Sequence, residues 1–233
     1  PNCFPMYKTY YLLLFVLLGC VQGCLAQDEK NLFEELDDLL SRQQELTLEK
    51  ERKIKIIKDG LSAPQITLEQ AYAINSRLYD EYLAFKYDSA YKYVNKNLVI
   101  ARKLANKHLY HESVLDLIHI LSVAGLFDQA HNWVDSLRVE DLSKEELQDY
   151  YRACSDLYLF SSEFSVGTVL YEGNLEKAQQ YRCKLRDAVS DPRSFSAVTN
   201  QADLIAWQGK NQEALKLLEG YLRQHPNMGG ARL

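Results

Sequence analysis

One short phrase returns four times along this chain, and it limits the fold more than anything else in the sequence. It reads Phe85-Lys-Tyr87-Asp-Ser-Ala90, Gly125-Leu-Phe127-Asp-Gln-Ala130, Gly173-Asn-Leu175-Glu-Lys-Ala178 and Gly209-Lys-Asn211-Gln-Glu-Ala214. Each phrase reads as a turn followed by a helix start. The alanine marks a point where two helices cross closely, and a larger side chain at Ala130 or Ala214 would overpack the crossing by roughly 1–3 kcal/mol. Self-similarity of this kind is the mark of a repeat architecture, in which stacked hairpins bury a continuous core between neighbours. The alanines are spaced unevenly, at 40, 48 and 36 residues. The wide middle interval predicts an enlarged third hairpin, with residues 161–173 as a longer linker or extra turn.

Breakers are scarce, with 10 Gly and 5 Pro in 233 residues, and strong strand alternation is absent, so the chain reads as all-α. Thr67 with Gln70, and Ser143 with Glu146, form capping-box patterns that start helices. Asp191-Pro192 offers an N-cap and a proline in the first turn, and Asn174 offers another cap. These signals divide residues 67–225 into about eight helices. Upstream, residues 31–60 read as one helix, with an apolar stripe at Leu32, Leu36, Leu39, Leu40, Leu46, Ile54 and Ile57. Gly60 and Pro64 end it. It lacks clean heptads and is expected to pack on the repeats or to run parallel to a partner chain.

The N-terminus has the three parts of a signal peptide: Lys8 after Met6 (the expected start), an apolar core from Tyr10 to Val21, and small residues before Gln27. Cleavage after Ala26 is one reading. Lipidation at Cys20 is another, because Leu17-Leu18-Gly19-Cys20 resembles a lipobox; Val21-Gln22-Gly23-Cys24 fits it less well. An uncleaved anchor is a third, although the core is short of the ~20 residues that span a bilayer, and no later stretch reads as a span. The expected organisation is a signal peptide at 1–26, an amphipathic helix at 27–63, a repeat domain at 67–226 and a tail at 227–233. The mature chain is expected to be exported, to the periplasm, either free or held by an N-terminal lipid.

The repeat phrase resembles that of the tetratricopeptide (TPR) superfamily. The fourth copy matches best, with Val198, Ala202 and Ile205 on the first helix, then Gly209, Ala214, Leu218, Tyr221 and a closing Pro226. The second follows closely through Val114, Ile118, Leu121, Gly125, Phe127, Ala130, Val134 and Leu137. In the first copy Phe85 replaces the glycine and Glu81 the usual aromatic. The resemblance implies antiparallel helical hairpins stacked as a right-handed solenoid, whose first (A) helices line a concave groove. Carrying the repeat phase across puts Tyr72, Asn75, Tyr79 and Tyr82 on that groove, then Leu115, His119 and Ser122, then Thr199, Asp203 and Trp207. Tyrosines at this spacing also serve as packing between hairpins, and Trp133, on a second helix, is expected in the core. The order of signal peptide, acidic Leu-rich helix, the stretch from Arg77 to Leu104 and degenerate repeats is similar to the extracytoplasmic half of a family of membrane-bound transcriptional regulators from Bacteroides-type bacteria. That family carries a periplasmic TPR sensor followed by a transmembrane helix, a coiled coil and a helix-turn-helix. DNA binding is not carried over to these 233 residues, which hold neither the transmembrane helix nor the helix-turn-helix.

The sequence offers little chemistry. A net charge of -5 gives no support to nucleic-acid binding. His108 and His111 lie three apart but match no zinc spacing. Nucleophile elbows, phosphate loops and triads are absent, and no metal or cofactor is expected. Cys154 and Cys183 can pair as a disulfide in an oxidising compartment or stand as separate thiols. The function expected is therefore a non-enzymatic protein- or peptide-binding module, with the sensory part of a regulator as its specific form. The alternatives are an outer-membrane-associated lipoprotein binding a nutrient or assembly partner, and a helical enzyme. Oligomeric state is open.

Overall fold

A computed structural model describes residues 33–34 and 36–225. The expected signal segment with Cys20, the closing Pro226 and the tail lie outside the described residues. The chain divides into two compact units, residues 1–56 and 57–233. No strand occurs among the described residues.

Residues 36–41, in the first unit, are helical, and α1 (Gln43–Asp59) follows after a turn at Arg42 and runs past the unit boundary at residue 56. The Arg42 amide still donates to Asp38 and Leu46 to Arg42, so the helical hydrogen bonding runs through. Leu36, Leu39, Leu40 and Leu46 are all exposed. The α-helix ends at Asp59, and Gly60 opens a 3₁₀ turn (Gly60–Ser62).

The second unit holds four hairpins. They are α2 (Leu68–Leu83) with α3 (Tyr87–Lys103), α4 (Lys107–Val123) with α5 (Phe127–Ser136), α6 (Lys144–Phe164) with α7 (Tyr171–Ala188), and α8 (Phe195–Trp207) with α9 (Asn211–Gln224). Among the described residues these make eight α-helices after residue 67, in line with the about eight that the sequence implies. Helices pack mainly on their hairpin partner and on the next hairpin along, giving a TPR-like stack. Both capping boxes form: Thr67 with Gln70, and Ser143 with Glu146. The four alanines of the repeated phrase are all buried.

The third hairpin is enlarged in both its link and its helices: six residues, 165–170, join α6 to α7 where three join the helices of hairpins one, two and four, while residues 161–164 and 171–173 are helical, and α6 has 21 residues where α4 has 17. Ala90, Ala130 and Ala214 are the fourth residue of their helices, but α7 starts at Tyr171, a full turn further ahead of Ala178. Asn174 therefore lies inside α7 and caps nothing; its amide donates to Ser165 Oγ. The turn glycine here is Gly167, at φ 80°, in the left-handed region that Gly125 and Gly209 occupy in their hairpins. Likewise α8 begins after Ser194, whose Oγ accepts from the Ala197 amide, while Asp191 only closes a local turn onto Arg193.

The core is centred on the first three hairpins, where Leu78, Val94, Val114, Ile118, Leu121, Leu157 and Leu185 are fully or almost fully buried. Trp133, expected there, is only half-buried on α5.

Candidate binding groove

The three A helices α2, α4 and α6 leave a cavity of about 480 Å³ between them. Leu83, Leu115 and Ala153 supply its apolar surface, and Tyr79 and Asp80 enter from α2. His108, Glu112, Asp116 and His119 come from α4, and Glu146, Asp149, Arg152 and Asp156 from α6. Helical spacing explains the α6 set: starting at the capped end, positions 146, 149, 153 and 156 recur every three or four residues and share one face. The Ser143 capping box thus fixes which α6 side chains meet the cavity.

Six carboxylates face two histidines and one arginine, and most have partners. Glu146 Oε1 lies 3.0 Å from both His108 Nδ1 and His111 Nδ1, while Oε2 accepts from the Ser143 amide at 2.7 Å. Burial disfavours its charge, but the Ser143 amide and the two imidazoles outweigh burial and hold the carboxyl below its usual range. The histidine pair seen in the sequence is thus a carboxylate clamp tying α4 to α6. Arg152 pairs with Asp149 at 2.9 Å and reaches Ser196 Oγ. Arg182, from α7, bridges Asp156 at 3.0 Å and Asp203 at 3.3 Å. Burial raises Asp156 against the opposing pull of Arg182, His119 and Arg152.

Asp116 differs. Burial, with Glu112, Asp80 and Asp149 adding, pushes its carboxyl up to about 8. At neutral pH it is mostly protonated, so it offers the cavity an O–H donor amid acceptors. Burial also raises Asp80 and lowers His119, favouring the neutral form of each.

Of the residues assigned to the groove from sequence, Tyr79, Leu115 and His119 line this cavity together. Tyr79 is itself only 4% exposed, and its hydroxyl donates to the Asp116 carbonyl at 3.2 Å. Tyr72 is turned into packing, its hydroxyl 3.0 Å from the Leu109 carbonyl and 3.1 Å from Glu112. Tyr82 stacks on Tyr93 with ring centres 5.7 Å apart. Ser122 is fully buried and donates to the Ile118 carbonyl. Thr199 bonds back to its own helix at Phe195, and Asp203 is held by Arg182. Trp207 is half-buried at the end of α8, and Asn75 lines a different groove, against α3. The acidic residues of α4 and α6 were missed. The capping box at Ser143 was the signal for α6, had its phase been carried along the helix.

Cys154 and Cys183 are free thiols here, so the disulfide reading is not realised. Cys154 is buried beside Tyr150 and Tyr181, and burial pushes its thiol up to about 12. Cys183 lies two residues beyond Tyr181 and so roughly 200° around α7 from it, away from Cys154. No cluster of His, Cys, Asp or Glu with metal-holding geometry occurs among the described residues. Nor is any described helix long and apolar enough to cross a membrane.

None of the curated proteins matches the chain. A family does: the one described as the SusR N-terminal TPR domain matches residues 40–229, the greater part of the sequence. Stacked hairpins, buried repeat alanines and this match agree, and the chain belongs to the SusR N-terminal TPR domain family.

Proposed function

We propose that this chain is the extracytoplasmic sensing module of a regulator, and that it takes a protein or peptide ligand in the groove between α2, α4 and α6. The observation that carries the reading is the convergence of Tyr79, Leu115 and His119 with an acidic rim on one cavity. A site that joins apolar floor to fixed donors and acceptors is the usual form of a recognition site. Membership of a TPR family supports protein binding as its general role. The N-terminal pattern of Lys8, an apolar core and Cys24-Leu25-Ala26 supports export to the periplasm, with lipid on Cys20 as the route to a tethered form.

Photo-crosslinking tests this directly. A crosslinker at Leu83 or at His108, whose side chain is 68% exposed, should capture a discrete partner in intact cells. The same group at Gln129, exposed on α5, serves as the control. Equal capture at Gln129 and at the groove positions overturns the groove reading. The mass of the mature N-terminus, starting at Gln27 or at a lipid-bearing Cys20, tests the route of export.

A further inference from the structure

The first hairpin carries a second groove, distinct from the one between the A helices. Its volume is about 760 Å³, and it lies between Leu61 of the 3₁₀ turn, Asn75 of α2, and Tyr91, Val99 and Ile100 of α3. Among the described residues none of α4 or of any later helix lines it, so it is built by the first hairpin and the 3₁₀ turn before it. End hairpins of a stacked array normally turn a polar face outward. This one instead leaves Tyr91 37% and Val99 49% exposed, and contiguous exposed apolar surface marks an interaction site.

Two further observations say what fits. Asn75 lines the groove although it is only 3% exposed, and its Oδ1 has no hydrogen-bond partner. An unpaired buried amide oxygen is unfavourable, and a donor that reaches it on docking would satisfy it. A side-chain amide is both donor and acceptor and so matches a peptide backbone unit. The charges in the lining are Lys92 and Lys96, both exposed, and no carboxylate lines the groove. Lys96 Nζ sits 4.9 Å over the Tyr93 ring, which steadies it. Four residues apart on a helix is ~6 Å along the axis, close to the ~7 Å that separates alternate side chains of an extended chain.

We propose that this groove docks an extended segment of a partner protein that carries acidic and apolar side chains on one face, at alternate positions along the segment. The apolar side chains rest on Tyr91, Val99 and Ile100. Two carboxylates one dipeptide apart meet Lys92 and Lys96, and a backbone amide pairs with Asn75. A lipid surface suits the lysines and the apolar floor but leaves Asn75 unexplained.

The test uses the full chain and two fluorescein-labelled probes, one peptide with Glu, Glu, Leu and Leu at successive alternate positions and Ser between them, and one with Lys in place of Glu. The Glu peptide should raise anisotropy on binding, and Lys92→Glu/Lys96→Glu should weaken it by about tenfold or more. The charge-reversed protein should then bind the Lys peptide, which the parent does not. Both lysines are exposed, so circular dichroism should show an unchanged fold, and Asn75→Ala should weaken the Glu peptide without altering its charge preference. Absence of binding, or binding indifferent to charge reversal, overturns the proposal. Binding to phosphatidylglycerol vesicles in place of the peptide, lost on charge reversal, assigns the groove to a membrane and also overturns it. So does concentration-dependent dimerisation abolished by Val99→Asp, which would make the occupant a second copy. None of these outcomes touches the crosslinking result at Leu83 and His108.

Discussion

Asp116 shows how one buried residue couples the groove to pH. Its folded carboxyl holds its proton to about pH 8, whereas an unfolded aspartate titrates near ~3.9. The folded state therefore binds the proton more tightly. The stability this provides is complete below the unfolded value and is lost as pH rises through about 8. Asn has the shape of the protonated acid and does not titrate. Urea midpoints of the parent and of Asp116→Asn should agree at acidic pH and diverge as pH rises, with the variant the more stable on the alkaline side. Taking the difference between the two proteins cancels the opposite contribution of Glu146, whose carboxyl is held below its usual range and whose stabilisation fades in acid. Parallel curves across the range would show that Asp116 ionises freely, and the groove would then present a further anion in place of a donor.

At the scale of the helix and its turn, glycines that look alike in sequence play opposite parts. Gly125 and Gly209 sit at φ 74° and 78°, where a side chain is strained, and each closes its hairpin. Gly173 opens the third copy of the same phrase but lies in the first turn of α7, with open space where a Cβ would stand. Gly209→Ala should therefore destabilise the chain by roughly 1–2 kcal/mol, while Gly173→Ala should stabilise it by roughly 0.5 kcal/mol. Denaturant melts of both variants read the sign, and destabilisation by both would return Gly173 to a turn. The same pair marks what was legible in the sequence. Hairpin number, the two capping boxes and the buried alanines follow from local rules, because a cap or a small residue at a crossing acts through its immediate neighbours. That the third hairpin is enlarged follows from the alanine spacing; how the extra length divides between its link and its helices does not, because the phrase is preserved while α6 and α7 are each extended by about a turn, which a six-residue motif cannot register. In the groove, Tyr79, Leu115 and His119 followed from repeat phase. Tyr72 and Ser122 did not, since whether a hydroxyl turns to solvent or to a nearby carbonyl depends on how far apart the neighbouring helices stand.

Across the repeat unit, burial is uneven, and this should set the order in which it opens. Nine residues of α4 are buried, including Leu117, Ile118 and Ile120, whereas α9 buries Ala214 alone. In a stack where each hairpin contacts only its neighbours, stability is a sum of local and interface terms, so the end hairpin is expected to open first. Polar contacts from Arg182 help hold it to α7: the guanidinium joins Asp156 of α6 to Asp203 of α8, and the Arg182 carbonyl accepts from Asn200 at 3.2 Å. Arg182→Met keeps much of the packing volume but removes the bridge, and it leaves Asp156 part-buried without its cation. Hydrogen exchange should show α8 and α9 opening at lower free energy than α4 in the parent, with the gap widening in Arg182→Met. Amides of α2 and α3 should be unchanged, because the first hairpin lies beyond the nearest neighbours of the lost bridge. If protection falls equally from α2 to α9, the four hairpins open as one cooperative block. A ligand seated between α2, α4 and α6 would then stabilise the fourth hairpin as strongly as the first three, whereas local opening confines its effect to the helices it touches and their neighbours.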